Sequence, residues 1–346
     1  MEPTQPQPQL QPQPQPQLEP EQQQPPLSLA GQSDAILTAL KRWQPVIVDG
    51  VDPALHYLPP HVSKPAWTAL GNLIAAREQG CAGNVSGERW ISLRLDGSGF
   101  SSAVRSMRKQ GVIEPTGFSE RFARSMVKCC EGLMEKFNAV LGYTQSDEMV
   151  VFIKPTNVVH GERQVHSRSG RVTKTCTLAA GYVTARFNME LSRMVLESGG
   201  TIDALARILP HFDCRMGSWY SWEEARSLLL WRAYDCSVNG VSDAVHHSSH
   251  AGKKKAIGLG KREKLQWLFE RDMLPLPRHQ AYGTVLARVK RRHEGRDPRP
   301  EMEGKAPTLT LRSRIEPVDG PVLELARQDA LFPVADALLP KEEGAK

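Results

Sequence analysis

Leu95-Asp96-Gly97-Ser98-Gly99-Phe100 follows directly on Trp90-Ile91-Ser92-Leu93-Arg94. The alternation of Ile91, Leu93 and Leu95 places three apolar side chains on one face of an extended segment, so Asp96 is expected at the C-terminal end of a strand. Gly97 and Gly99 then let the backbone come close to a ligand. Further along, Gln145-Ser146-Asp147-Glu148 separates Val140-Leu141-Gly142-Tyr143-Thr144 from Met149-Val150-Val151-Phe152-Ile153. Two β-prone stretches joined by four polar residues read as a hairpin with Asp147 at its tip.

Taken singly, each run is also an ordinary turn signal, since Asp-Gly after a strand serves a tight turn as well as a ligand. Together they deliver two carboxylates from neighbouring strand ends. That arrangement suits Mg²⁺, which takes oxygen ligands, keeps waters and bridges phosphates. The matching chemistry is phosphoryl or nucleotidyl transfer.

These residues carry a resemblance. The chain resembles the tRNA-His guanylyltransferase family, including its relatives that add nucleotides to tRNA 5′ ends in the reverse, 3′-to-5′ direction. The likeness spans residues 88–290. The family's Asp-Gly-Arg-x-Phe-His block corresponds to Asp96-Gly97-Ser98-Gly99-Phe100-Ser101, and its Gln-Ser-Asp-Glu block stands intact at Gln145-Ser146-Asp147-Glu148. Trp231-Arg232-Ala233-Tyr234-Asp235-Cys236-Ser237-Val238-Asn239 resembles Trp-Arg-x-x-Asp-x-x-x-Asn. Phe212-Asp213-Cys214-Arg215, Lys174 in an Arg-x-x-Lys pattern and Tyr282-Gly283-Thr284-Val285-Leu286 complete the series.

The resemblance implies an α+β fold like the polymerase palm and the nucleotidyl cyclases: an antiparallel sheet with helices packed on one face, plus helical extensions. It implies two Mg²⁺ ions held by Asp96, Asp147 and the carbonyl of Gly97, the two aspartates being the catalytic residues. Asp96 through Ser101 (Gly97, Ser98, Gly99 and Phe100 included), with Ser146 and Asp147, would bind the nucleotide, and Lys174 and Asn239 would contact phosphates or a second nucleotide. GTP and ATP would be substrates, tRNA the partner, and a homotetramer the common assembly.

Three positions depart from the family: Ser98 stands for Arg, Ser101 for His, and Glu114-Pro115 for a Lys-Pro pair that supplies charge to phosphate. A carboxylate facing a triphosphate is repulsive; Arg108 or Lys109 would substitute if the Arg105–Gly111 loop folds inward. Ser237-Val238-Asn239-Gly240 replaces the His-Ile-Asn-Asn usual in enzymes devoted to tRNA-His, which favours the guanylyltransferase-like, tRNA-repair branch.

Net charge is +6 over 346 residues, and the pI near 9.0 is compatible with a polyanionic partner. The basic residues concentrate at Lys253-Lys254-Lys255, Lys261-Arg262 and Arg288–Arg292. With Arg232, expected to reach outward from a helix over Trp222–Tyr234 as Arg226 does, Lys253, Lys254, Lys255, Lys261 and Arg262 are the expected RNA contacts. His246, His247 and His250 read as an exposed or RNA-facing patch. Six cysteines without a Cys-x-x-Cys pair read as reduced thiols rather than a zinc site.

The chain divides into a disordered Gln/Pro-rich tail (1–33), a helical N-terminal extension (34–87), a catalytic palm-like domain (88–240), a basic C-terminal part of the core (241–297) and a Pro- and charge-rich tail (298–346). Helices are expected at Ile36–Trp43, Pro65–Arg77 and Phe118–Phe137, and over Val172–Glu190, where a strand start stays open. No apolar run reaches the length of about 20 needed to cross a bilayer, and neither a presequence nor a secretory signal is read, which points to cytoplasm or nucleus. Two other readings stay open: an RNA-binding module that keeps the fold without efficient catalysis, and a nucleotidyl cyclase.

Overall fold

The computed structural model describes residues 64–248, 258–295 and 308–320, less residues 82, 116, 202, 204, 205 and 207, together with residues 322 and 325. The Gln/Pro-rich tail, the helix expected at Ile36–Trp43, Lys253, Lys254, Lys255, His250 and most of the C-terminal tail lie outside the described residues.

Helix α1 (Lys64–Gln79) precedes strand β1 (Trp90–Ser98), and helices α2 (Phe100–Lys109) and α3 (Glu120–Phe137) follow. Strands β2 (Leu141–Gln145) and β3 (Glu148–Ile153) form the hairpin, with a small second hairpin, β4 (Val158–Val159) and β5 (Glu162–Arg163), beyond it. Then come α4 (Val172–Glu197), β6 (His211–Trp219), α5 (Trp222–Ser248), α6 (Lys261–Phe269), α7 (Arg278–Ala281), β7 (Thr284–Gly295) and β8 (Thr308–Val318).

Six strands form one sheet in the order β6-β1-β3-β2-β7-β8, every pair antiparallel. Period-two alternation sorts β1 between two cores. Ile91, Leu93 and Leu95 face α3 and α4, packing with Met126, Leu133, Val183 and Phe187. Ser92 and Arg94 face the other side, where the buried Ser92 hydroxyl accepts from the Trp219 indole Nε1 at 2.9 Å. The α+β palm-like expectation is met, with α3 and α4 as the helices behind the sheet. A further layer covers the second face: Leu228, Leu229 and Ala233 of α5 and Leu70 and Ile74 of α1 pack on Tyr143, Val150, Phe152 and Trp219.

Local sequence explains the boundaries. The Ser119 hydroxyl caps α3 by accepting from the amide of Phe122 at 3.1 Å, and Asn138, at φ 52°, ends it in the left-handed conformation. The stretch from Arg105, expected as a loop, belongs to helix α2 as far as Lys109; Gly111 follows it at φ 68°. The expected helix over Trp222–Tyr234 runs on to Ser248, so the domain boundary at 240/241 falls inside one helix. Residues beyond it also complete the palm sheet, because β7 and β8 pair alongside β2. Long-range pairing of this kind leaves no periodic trace in the sequence.

Among the described residues no helix is long and apolar enough to cross a membrane, and the six cysteines are free. Replacing Ser92 with Ala strands the buried Trp219 N–H without an acceptor and is expected to cost about 1–3 kcal/mol. Urea unfolding checks this: the midpoint falls with an unchanged slope, whereas an unchanged midpoint removes the bond from the stability account.

Candidate active site

The strand register brings the carboxylates together. Asp96, near the end of β1, sits opposite Glu148 on β3 and opposite Asp213 on β6. Cross-strand partners share a face, so three acids lie abreast on the side of the sheet covered by α5. Asp147 joins them from the two-residue turn between β2 and β3, where Ser146 takes a positive φ of 48°. The turn is pinned by its own side chains: Thr144 Oγ1 donates to the Glu148 carbonyl at 2.9 Å, and Gln145 Nε2 to Glu148 Oε2 at 2.7 Å. The Ser146 hydroxyl donates to Asp147 Oδ1 at 3.1 Å.

Two glycines shape the approach. A Cβ on Gly97 would lie 2.3 Å from the ring of Phe100, which is buried among Phe122, Phe187 and Phe212. Gly99 turns the chain at φ 69° into α2. The Asp-Gly-x-Gly-Phe spacing thus lets a buried aromatic anchor hold the end of β1 while the backbone turns tightly.

Burial acts on two of these acids. Burial raises the Asp147 pKa; the Ser146 hydroxyl and Arg232 oppose the rise, and the charge of Asp96 adds to it. Glu148 is also raised, by burial first; Arg232 pulls it down and Asp96 pushes it up. Arg232 is the counter-charge: its Nη2 bonds Glu148 Oε2 and donates to Asp235 Oδ2 at 3.1 Å, and Asn239 Nδ2 donates to the same Asp235 oxygen at 3.0 Å. Arg232, Asp235 and Asn239 lie three and four residues apart on α5, hence on one helical face.

A chamber of about 320 Å³ lies over these groups, lined by Asp96, Ser146, Asp147, Glu148, Asn239 and Gln280 among others. It joins a larger one of about 740 Å³ walled by α2 and the end of α5. The two share Phe118, Ser146, Asp147, Asn239 and Asp243.

Of the residues expected to bind nucleotide, Asp96, Phe100, Ser101, Ser146, Asp147 and Asn239 line these chambers. Gly97, Ser98 and Gly99 line neither and form the turn beside them. Lys174 is not brought to the site. It is exposed in the first turn of α4, and its neighbour Thr175 faces Ile91 and Ile153 at the far end of β1 and β3. Thr184 reaches the Asp96 end, bonding the amide of Phe212, and ten residues of helix separate it from Lys174 by about 15 Å.

The expected RNA contacts divide as well. Arg232 and Arg226, read as outward-reaching, are buried at 9% and 3% exposure; the periodicity of α5 gave no sign that the sheet would offer Arg232 a carboxylate. Lys261 is half-buried with its Nζ 4.1 Å from the centroid of the Tyr234 ring, and burial lowers its pKa to about 8. Arg262 is exposed. Sequence reasoning passed over Gln280, which donates from Nε2 to the Gly240 carbonyl at 3.2 Å and comes from a short helix without a periodic signature. Gly240 is required there, since a Cβ would meet the Gln280 carbonyl at 2.0 Å.

Comparison with known proteins places the chain in a family. The family model described as Thg1, tRNAHis guanylyltransferase, matches residues 77–219, a span holding both aspartates. An uncharacterized protein of Acanthamoeba polyphaga mimivirus is 30% identical over 223 residues, covering 58% of this chain and 71% of that protein. The chain belongs to the tRNA-His guanylyltransferase family. Its members' activity is nucleotidyl transfer, and the function here is of the tRNA guanylyltransferase type.

Two solved structures of a bacterial tRNA-His guanylyltransferase-like protein share the fold of this family member. The complex with ATP has a TM-score of 0.52 at 20% identity, covering 77% of this chain and 99% of the other. The complex with GTP has 0.50 at 19% identity, covering 79% and 100%.

Removing the counter-charge tests the network. Arg232→Met removes the ion-pair partner of the buried Glu148 and is expected to cost about 3 kcal/mol or more. The loss depends on pH with a defined sign. A carboxyl whose folded pKa is raised binds more protons in the native state, so stability falls as pH rises from the unfolded value through the folded one. Thermal unfolding is therefore expected to show a larger gap between variant and wild type at pH 8 than at pH 5; an equal gap at both would show that Glu148 does not depend on Arg232.

Proposed function

We propose that this guanylyltransferase-family protein is a Mg²⁺-dependent enzyme that adds nucleotides in the 3′-to-5′ direction to the 5′ end of tRNA, selecting them against the opposing strand as template. The observation that carries the reading is the convergence of Asp96 and the buried Asp147 on one chamber, in a chain of this family. Among the described residues no cluster of three or more His, Cys, Asp or Glu side chains is arranged to hold a metal. Two carboxylates nonetheless fit Mg²⁺, which keeps waters and takes the remaining oxygens from substrate phosphates. The raised pKa of Asp147 fits too, because an acid held beside another acid in a buried place is relieved by a cation.

Asp96 and Asp147 would hold the metal, with the Gly97 carbonyl as a further oxygen donor. When bound, the ions lower the pKa of an attacking 3′-hydroxyl and neutralise the charge of the triphosphate. The 3′-hydroxyl of the incoming nucleotide would attack the α-phosphorus of a 5′-triphosphorylated RNA end, its proton passing to solvent, and pyrophosphate would leave with the electron pair of the broken α–β bond. Glu148, held by Arg232 and Gln145, fixes the hairpin that carries Asp147. Ser237-Val238-Asn239-Gly240 supports the repair branch over an enzyme devoted to tRNA-His.

The test is incorporation of labelled nucleoside triphosphates into a 5′-truncated, 5′-triphosphorylated tRNA with and without Mg²⁺. Growth at the 5′ end is expected, with Asp96→Ala and Asp147→Ala each reducing it by a hundredfold or more, on the order of the loss seen when a single transition-state-stabilising group is removed. RNA binding without incorporation would sink the enzymatic reading. Product formed from nucleoside triphosphate alone would instead indicate a cyclase.

A further inference from the structure

The larger chamber is walled on one side by Ser101, Val104, Arg105 and Arg108, residues spaced three and four apart and so on one face of α2. Neither arginine is ion-paired among the described residues. Arg105 makes local bonds, to the Ser101 carbonyl at 3.2 Å and the Ser102 hydroxyl at 3.1 Å. Arg108 ties Nη2 to the Gly117 carbonyl at 2.6 Å, while its Nε is buried without a hydrogen-bond partner. Across the chamber, Asp243 bonds His247 at 3.2 Å and is ion-paired with neither arginine. The floor is apolar, with Val104, Ile113 and Phe118.

The departure at Glu114 acquires a meaning here. The expectation that this acid faces the triphosphate does not hold: Glu114 lines neither chamber. Its pKa is lowered despite burial, by the hydroxyl of Ser119 and the charge of Arg121. The carboxylate is turned toward the start of α3, and the positive charge of the chamber comes from α2 instead.

We propose that Arg105 and Arg108 form an anion grip for a polyphosphate lying in the larger chamber beside Asp147, either that of a free nucleoside triphosphate or that of a 5′-triphosphorylated RNA end. The guanidinium fork suits phosphate oxygens better than a point charge does, and the apolar floor takes the flat base attached to them. The assignment rests on the nucleotidyl-transfer reading, and it concerns which residues of this chain discriminate phosphate number.

The experiment measures binding by the full-length protein with fluorescent nucleoside tri- and monophosphates and, separately, with labelled RNA bearing a 5′-triphosphate or a 5′-monophosphate. Arg105→Gln, Arg108→Gln and Arg108→Lys are compared with wild type. The Gln variants are expected to lose about tenfold or more of the preference for triphosphate, the scale of one charge-assisted hydrogen bond, with monophosphate binding unchanged and partial recovery in Arg108→Lys. Loss confined to free nucleotides identifies the incoming nucleotide as the occupant; loss confined to RNA identifies the 5′ end. An unchanged preference for triphosphate in both series overturns the proposal. Incorporation assayed in parallel keeps the two readings apart: a wild type that binds triphosphate through these arginines but adds no nucleotide sinks the enzymatic reading and leaves the grip standing.

Discussion

Like charges held side by side govern this molecule. Asp96, Glu148 and Asp213 lie abreast across three strands, with Asp147 pressed in from the adjoining turn. Such a set is destabilising unless cations meet it. Arg232 meets Glu148 and Asp235, Arg94 adds its charge beside Glu148, and Arg215 lies 3.9 Å from Asp213. Asp147 keeps a raised pKa despite the Ser146 hydroxyl and Arg232, so the fold tolerates a buried acid that its own groups relieve in part. Helix α5 follows from the same need, since Arg232 must come from a rigid element over the sheet.

The two chambers differ in what surrounds their shared acids. The smaller gathers Asp96, Asp147 and Glu148 beside Arg232; the larger sets Arg105 and Arg108 on an apolar ground, with Asp147 and Asp243 shared between the two. They share Ser146 and Asp147, which places the turn of the hairpin at the boundary, and the bonds from Thr144, Gln145 and Ser146 hold that turn in place.

Much of this was legible in the residues. Ile91, Leu93 and Leu95 announced β1, and the apolar steps from Phe122 to Phe137 announced α3, because each element's burial repeats with its own period. The Asp96 and Asp147 pair was legible because the turn that presents each acid is written beside it. What stayed hidden depends on partners distant in sequence. Arg232 reads as a surface arginine until Glu148, 84 residues away, is placed against it. The addition of β7 and β8 to the palm and the approach of Gln280 to Gly240 are equally non-local. Lys174 fits a motif by spacing, yet the length of α4 carries it to the other end of the sheet.

Helix α1 joins the core through more than apolar contact. Arg77 bonds Glu224 at the start of α5, and Glu78 receives both Nε and Nη2 of Arg94 on β1, at 2.8 and 2.6 Å. All four side chains are largely buried. The limit of family likeness and the limit of the folding unit therefore do not coincide. The matched segment opens at residue 77, at the end of a helix whose earlier residues Leu70 and Ile74 lie in the core. A chain trimmed to the recognisable motifs, beginning at residue 88, would bare that apolar face and lose the Arg77–Glu224 and Glu78–Arg94 pairs, the burial of Leu70 and Ile74 alone being worth about 1.5–3 kcal/mol each. Against a total stability of about 5–15 kcal/mol, the turns of α1 that precede the matched segment are a sizeable share of what holds the second face of the sheet.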